Sequence, residues 1–172
     1  DDFLNYVGIH NNKKHIWKLY DWERYLDIDV DGHKSGVRYG IGKKIAPEVC
    51  QGCKKFIKWL KDEYSFPVRI VIHLKDTQDI NTRQGKVKTV FYENEQGKNT
   101  SGIYIAVGDY SIMAEERGEN EALLELYRQI SYEITHYFQW INHLRLTDIG
   151  KERQAKRYTS IIINEYLAST LD

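Results

Sequence analysis

The sequence predicts an α+β fold in which a small mixed sheet packs on a central helix and a following C-terminal helix. Apolar residues recur at helical spacing in three stretches, and β-branched runs mark three others. The helical stretches are 47–64, 119–142 and 151–171, and the extended runs are 68–74, 86–92 and 101–107. Loops and hairpin-like turns between the extended runs favour a sheet that is at least partly antiparallel. The length of 172 residues predicts a single domain over residues 1–172.

The composition narrows the classes of partner. The 25 basic and 25 acidic residues balance, so no overall charge attracts the chain to nucleic acid or to an anionic membrane. No apolar run approaches the length of a membrane span, and two cysteines are too few for a disulfide framework. The chain begins at Asp1 rather than Met, and we expect a processed or trimmed piece. We therefore expect neither nucleic acid nor a membrane as its partner.

The first part of the chain carries few motifs. Residues 18–26 predict a short helix, because their apolar residues lie near one helical face. Asp27, Asp29 and Asp31 alternate as in a calcium-binding loop, but Arg38 stands where that loop needs a glutamate. We therefore predict a solvated turn here rather than a calcium site.

Residues 37–45 predict a strand or an extended entry to the helix that follows. That helix begins near Pro47, which suits a first helical turn, and continues to about Tyr64. It carries Cys50 and Cys53, a spacing typical of a redox pair or of half a zinc site. No second cysteine pair completes a zinc ribbon, and no βαβ pattern surrounds these two. Buried core cysteines are the favoured interpretation.

Three extended segments follow. Pro67 ends the first helix, and residues 68–74 form the strongest strand pattern in the chain. A polar loop over 76–85 leads to the strand at 86–92, and a turn at 97–99 leads to the strand at 101–107.

The central helix, predicted over 119–142, has two unlike faces. One face is an apolar stripe that runs from Leu123 to Ile141. The opposite face bears His136 with Gln129, Tyr132, Trp140 and His143, and Glu133 lies on its flank. A solvated helix face usually carries lysine and glutamate instead. We therefore predict that this helix lies between a core and a cleft.

The cleft face carries the candidate chemistry. Glu133 and His136 form Glu-x-x-His, which is most of the His-Glu-x-x-His signature of zinc peptidases, and Tyr132 stands at the first histidine position. A zinc hydrolase needs three protein ligands, an open position for water and a base. Glu133 is the candidate base. His136, Glu152 and Tyr132 are the candidate ligands, with Glu152 near the start of the last helix.

The last helix extends the motif to a family resemblance. Residues 152–158 resemble the Glu-x-x-Ala-(Asp/Asn)-x-(Phe/Tyr) segment of minimal gluzincin peptidases, including the ImmA/IrrE-like proteases. The resemblance covers about residues 101–167. It implies a zincin-like fold, zinc as cofactor with Glu152 as its third ligand, and a strand at 101–107 that pairs, as an edge strand, with extended peptide substrate. The chain departs from the family at Tyr132 and at Lys156, which replaces the Asp/Asn.

Three hypotheses remain open. In the first, the chain is a zinc-dependent metallopeptidase in which Tyr132 is a weak ligand or an oxyanion-stabilising hydroxyl. In the second, it is a catalytically inactive pseudo-enzyme that binds a protein or peptide, and Tyr132 fills the metal space and hydrogen-bonds to Glu152 or Glu133. In the third, Cys50 and Cys53 form a redox or metal site, and the helix pair is structural.

Overall fold

A computed structural model describes residues 34–93 and 100–171 of the chain. The helix predicted at 18–26, the aspartate-rich turn at 27–31 and the turn at 97–99 lie outside these described residues.

Strands and helices are mixed along the described chain. The strands are β1 (Val37–Ile41), β2 (Ile70–Lys75), β3 (Ile80–Thr82), β4 (Gly85–Val87), β5 (Thr89–Tyr92) and β6 (Ser101–Ala106). The helices are α1 (Pro47–Glu63), α2 (Tyr110–Arg117), α3 (Glu119–Ile141) and α4 (Asp148–Ser169).

The main sheet has the strand order β1-β2-β6-β5. β1, β2 and β6 are parallel, with Val37 opposite Ile70 and Ile70 opposite Ser101. β5 is antiparallel to β6 and places Thr89 opposite Ile105. The predicted α+β class with a small mixed sheet is therefore confirmed.

The prediction that the strand at 101–107 is an edge strand is wrong. β6 corresponds to the run predicted at 101–107, but it lies inside the sheet, between β2 and β5. β5 pairs with the outer side of β6 and so takes the edge position itself. An edge strand presents unpaired backbone groups to a neighbour, and among the described strands β5 has that property on this side of the sheet.

The strand predicted over 86–92 is divided into two. Gly85–Val87 pairs with Ile80–Thr82 to form the hairpin β3-β4, and Thr89 then begins β5. Strand β3 lies inside the segment 76–85, which was predicted to be a loop. Lys88 lies at the break, and its Nζ is 3.1 Å from Asp79 Oδ1 and 2.9 Å from Asp109 Oδ2. Two half-buried carboxylates thus bind Lys88 at the point where the chain passes from the hairpin to the main sheet.

The central helix matches its prediction closely, but a short helix precedes it. α2 was not predicted, and Gly118, with φ +91°, separates it from α3. α3 ends in a Schellman arrangement, in which Leu144 N donates to Gln139 O and His143 N donates to Trp140 O. His143 adopts φ +51° there, a left-handed conformation that normally favours glycine.

The core lies between the helices and one face of the sheet. Ile70, Ile72 and Leu74 alternate along β2 as its buried residues, as a strand with one buried face requires. The buried side of α1 is formed by Val49, Cys53, Phe56, Ile57 and Leu60. In the described part of the chain, no helix has both the length and the apolar character needed to cross a membrane.

Tyr137 joins α3 to the chain just before β2. Its hydroxyl accepts a hydrogen bond from Val68 N at 3.1 Å and donates one to Val68 O at 2.6 Å, and both residues are fully buried. Because Tyr137 directly follows His136, this pair of bonds fixes the rotation of α3 at the position of the Glu-x-x-His motif.

α4 begins at Asp148, three residues before the predicted start at Lys151. The side chain of Thr147 caps it by accepting a hydrogen bond from Gly150 N at 3.0 Å, so Gly150 belongs to the first helical turn. α4 then runs back along α3. Gln139 Nε2 of α3 donates to Lys151 O and to Gln154 Oε1, each at 3.0 Å, and closes one end of the cleft between the two helices.

Candidate functional site

His136 and Glu152 meet across the cleft between α3 and α4. The distance from His136 Nε2 to Glu152 Oε1 is 3.8 Å. The imidazole is largely buried, with 18% of its side chain exposed, whereas the Glu152 side chain is 56% exposed. The candidate ligands thus pair a fixed ring with a carboxylate that is open to solvent.

Gln139 determines which nitrogen of His136 carries the proton. The Gln139 amide nitrogen donates to a backbone carbonyl, Lys151 O, so its oxygen must be the atom that faces the histidine. That oxygen, Oε1, is 2.7 Å from His136 Nδ1. An oxygen acceptor requires Nδ1 to be the donor, so the neutral ring has its lone pair on Nε2. Ligating histidines commonly receive this support through their second nitrogen.

When His136 is neutral, its Nε2 and the Glu152 carboxylate are two acceptors that face each other. With Nδ1 protonated, the Nε2 lone pair of neutral His136 lies opposite the Glu152 carboxylate, and a proton or a cation between them would relieve the repulsion. Two ligand atoms of a tetrahedral zinc ion lie roughly 3.4 Å apart, close to the 3.8 Å separation here. These two side chains therefore fit a zinc ion.

Glu133 lies beside this pair but is far less exposed. Only 5% of the residue is accessible, and Thr89 Oγ1, at the start of β5, donates to Glu133 Oε1 at 2.7 Å. Burial raises the pKa of the Glu133 carboxyl, while the Thr89 hydrogen bond and the charge of His136 act in the opposite direction. Oε2 makes no hydrogen bond to any described residue, so it is the oxygen that is available to exchange a proton.

Tyr132 contacts the histidine through its ring. The Tyr132 and His136 rings meet edge to face, with centroids 4.9 Å apart and planes at 90°. The Tyr132 hydroxyl makes no hydrogen bond to the described residues, so the bond to Glu152 or Glu133 expected for a pseudo-enzyme is absent there. Of the three candidate ligands, His136 and Glu152 thus fit a zinc ion, and the third, Tyr132, is a phenol.

A pocket of about 230 Å³, here called the side pocket, continues the cleft from Tyr132 toward the start of α3. Its walls are formed by Thr89 of β5, by Glu125, Arg128, Gln129 and Tyr132 of α3, and by Lys156 and Thr159 of α4. Tyr132 therefore contacts His136 and also lines this second space.

The cysteine hypothesis gains no support from the structure. Both thiols are free, and Cys53 is fully buried in the core, where burial raises its pKa to about 12. Cys50 is half-buried, and its Sγ lies 3.8 Å from Ile45 O. A thiol with so high a pKa is a poor nucleophile and a poor metal ligand at neutral pH. The prediction of a buried core cysteine is therefore confirmed for Cys53 and wrong for Cys50, which is only half-buried.

Two residues of the site were not predicted. Gln139 lies three residues after His136, a spacing at which helical side chains meet, so the sequence did carry a signal for it. Thr89 has no such signal, because its contact with Glu133 depends on how β5 packs against α3. Lys156 was noted only as a departure from the family pattern, and its place in the side pocket comes from the structure.

Within residues 34–93 and 100–171, no three His, Cys, Asp or Glu side chains converge in a group that could hold a metal ion. The comparisons with known proteins found no protein-family model, no curated protein and no solved structure that matches this chain. The interpretation of the site therefore depends on the chemistry of its own residues.

Proposed function

We propose that this chain is a zinc-dependent metallopeptidase-like domain whose metal affinity is weakened because Tyr132 occupies a ligand position. The observation that carries the proposal is the approach of His136 Nε2 to Glu152 Oε1, with the lone pair of Nε2 directed by Gln139. His136 and Glu152 are two of the three ligands that a gluzincin-type site requires, and the buried carboxylate of Glu133 is a candidate for its base.

Zinc bound by His136 and Glu152 would lower the pKa of a bound water toward neutrality. The role of Glu133 is to take a proton, and its raised pKa brings its proton affinity closer to that required near neutral pH. Thr89 holds Oε1 in place, so the carboxylate has one anchored oxygen and one free oxygen. Tyr132 has a hydroxyl without a protein partner among the described residues, which suits a donor to a developing negative charge.

The edge strand supplies a place for an extended peptide. β5 has its outer edge unpaired by any described strand, and its first residue is the one that contacts Glu133. A peptide that adds to this edge by backbone hydrogen bonds would pass the motif glutamate. A protein or peptide is therefore the proposed substrate.

Zinc titration of the metal-free protein tests the proposal. We expect weak binding to the wild type, binding at least about tenfold tighter to Tyr132→His, and none to His136→Ala, because a histidine restores the missing ligand. His143→Ala is the matched control, since His143 is exposed beyond the end of α3 and should leave affinity unchanged. Absence of zinc from both the wild type and Tyr132→His would overturn the proposal.

The ring contact between Tyr132 and His136 favours a second candidate, a pseudo-enzyme that binds peptide without hydrolysis. The edge-to-face packing gives Tyr132 a structural partner at the position where the family has a ligand. Casein hydrolysis separates the candidates. Activity in the zinc-loaded wild type supports the peptidase, whereas activity that requires Tyr132→His supports the pseudo-enzyme.

A further inference from the structure

We propose that the side pocket binds a carboxylate of the peptide, from an acidic side chain or from the chain terminus. This inference deepens the proposed function, since it names a chemical class of substrate for the same cleft. It is carried by three groups of the pocket, on Lys156, Gln129 and Tyr132, that have no partner among the described residues.

The position of the pocket follows from the antiparallel packing of α3 and α4. His136 faces Glu152 at one level. One helical turn farther along each helix, Tyr132 and Lys156 both line the side pocket, and the next turn brings Gln129 and Thr159. The pocket is therefore the direct continuation of the candidate site along the cleft.

One cation of the pocket has no charged partner among the described residues. Arg128 Nη1 lies 3.0 Å from Glu121 Oε1 and 3.3 Å from Glu125 Oε2, so its charge is neutralised on α3 itself. Lys156 forms no ion pair or hydrogen bond with the described residues, although it lines the same space. Lys156 is exposed, and its ammonium group adds a positive charge to a pocket in which Arg128 and Glu125 offset each other, which suits an anionic ligand.

Two further polar groups add hydrogen-bonding capacity. Gln129 Oε1 is buried and lacks a hydrogen-bond partner, which is costly unless a ligand supplies one. The Tyr132 hydroxyl is likewise without a partner in the described chain. A carboxylate would accept from Lys156 and Tyr132, and an amide N–H next to it in a peptide would donate to Gln129.

The size and charge favour a single carboxylate. A volume of about 230 Å³ is below that of a site for a drug-sized ligand and suits one side chain or one chain end. With Arg128 and Glu125 paired, Lys156 leaves one positive charge at the pocket, which a singly charged group matches better than a doubly charged phosphate. Thr89, a residue of the pocket wall, belongs to β5, so a peptide on that edge has the pocket within reach.

Three small probes test the inference on metal-free protein in chelator. N-acetyl-glutamate α-amide carries a side-chain carboxylate, N-acetyl-alanine carries a terminal one, and N-acetyl-glutamine α-amide carries neither. Binding is measured by NMR titration of backbone amides. We expect at least one of the two carboxylates to bind in the pocket and the neutral probe to bind at least roughly tenfold more weakly, as loss of a charged hydrogen bond predicts. The better of the two carboxylates identifies the source.

Variants then locate the binding. Lys156→Gln should weaken carboxylate binding roughly tenfold, whereas Arg157→Gln, an exposed neighbour on α4, should not. Equal binding of all three probes, or a carboxylate affinity that Lys156→Gln leaves unchanged, overturns the inference. The zinc titration fails or succeeds independently of this result: probe binding without zinc binding sinks only the peptidase, and zinc binding without probe binding sinks only the carboxylate pocket.

Discussion

Thr89 donates its hydroxyl hydrogen to Glu133 at 2.7 Å, and this bond joins the edge strand of the sheet to the glutamate of the Glu-x-x-His motif. Through this contact, the position of β5 affects the carboxylate that is the candidate base. The same carboxylate is buried, so its protonation is coupled to the folding of the chain.

The first prediction concerns the pH dependence of stability. The pKa of Glu133 is higher in the folded than in the unfolded chain, so the folded state binds this proton more tightly. Its contribution to stability is therefore present at low pH and is lost as pH rises from the ordinary carboxyl range through the raised pKa. Glu133→Gln should remove this loss, and Thr89→Val should enlarge it, since the Thr89 hydrogen bond lowers the pKa.

Urea unfolding between about pH 4 and pH 8 measures this effect. Glu116→Gln, on an exposed turn of α2, is the matched carboxyl control and should follow the wild type. A wild-type profile that coincides with that of Glu133→Gln would show that Glu133 titrates normally.

The second prediction concerns Gln139. Replacement by leucine keeps much of the volume but removes the acceptor at His136 Nδ1, so zinc affinity should fall roughly 10–100-fold, as for other residues that support ligands. The loss is measured in the Tyr132→His background, where affinity is higher. Gln154→Ala, which removes only a partner of the Gln139 amide nitrogen, should cost less.

The tautomer of His136 can be determined by NMR in the metal-free protein. Nitrogen NMR shifts of the imidazole should identify Nδ1 as the protonated nitrogen of the neutral ring. A ring protonated at Nε2 instead would contradict the hydrogen-bond network assigned to Gln139.

The third prediction concerns Tyr137, whose bonds to Val68 fix the rotation of α3 at the site. Tyr137→Phe removes the hydroxyl that both accepts from Val68 N and donates to Val68 O, and leaves these buried backbone groups unpaired. The free energy of unfolding should fall by about 1–3 kcal/mol. Tyr39→Phe, at a residue 46% exposed, should change it by less than about 0.5 kcal/mol. Equal effects of the two variants would mean that the Val68 contacts are not maintained in solution.

The fourth prediction concerns the two thiols. In the native protein, Cys53 should resist a thiol reagent such as DTNB, because burial excludes the reagent and raises the thiol pKa to about 12. The Cys50→Ala variant should then show no native reaction and one reactive thiol in denaturant. Rapid native modification of this variant would revive the redox hypothesis.

The sequence predicted the helices better than the sheet. α1 and α3 were predicted within two residues because their apolar stripes are long, and because Pro47 and Pro67 limit α1. α2 was missed since its eight residues bury only Tyr110, which gives no periodic pattern. The parallel pairing of β1, β2 and β6 joins segments far apart in the chain, and such pairing has no local signal.

The contacts of the candidate site also differ in how well the sequence predicts them. Contacts along one helix, such as that between Tyr132 and His136, follow from spacing. Contacts between elements do not, and the bond from Thr89 to Glu133 and the side pocket with Lys156 depend on how β5 and α4 pack on α3.

The antiparallel register of α3 and α4 has a consequence for how such a domain can change its ligand. Tyr132 and Lys156, the two positions at which this chain departs from the gluzincin pattern, line one pocket and lie one turn from His136 and Glu152. The two departures are therefore neighbours in space although 24 positions separate them in the chain. Under the two proposals, replacing Tyr132 by His and Lys156 by Asp would turn a cleft that binds anions into a complete metal site. Two substitutions would therefore change which ligand this fold binds.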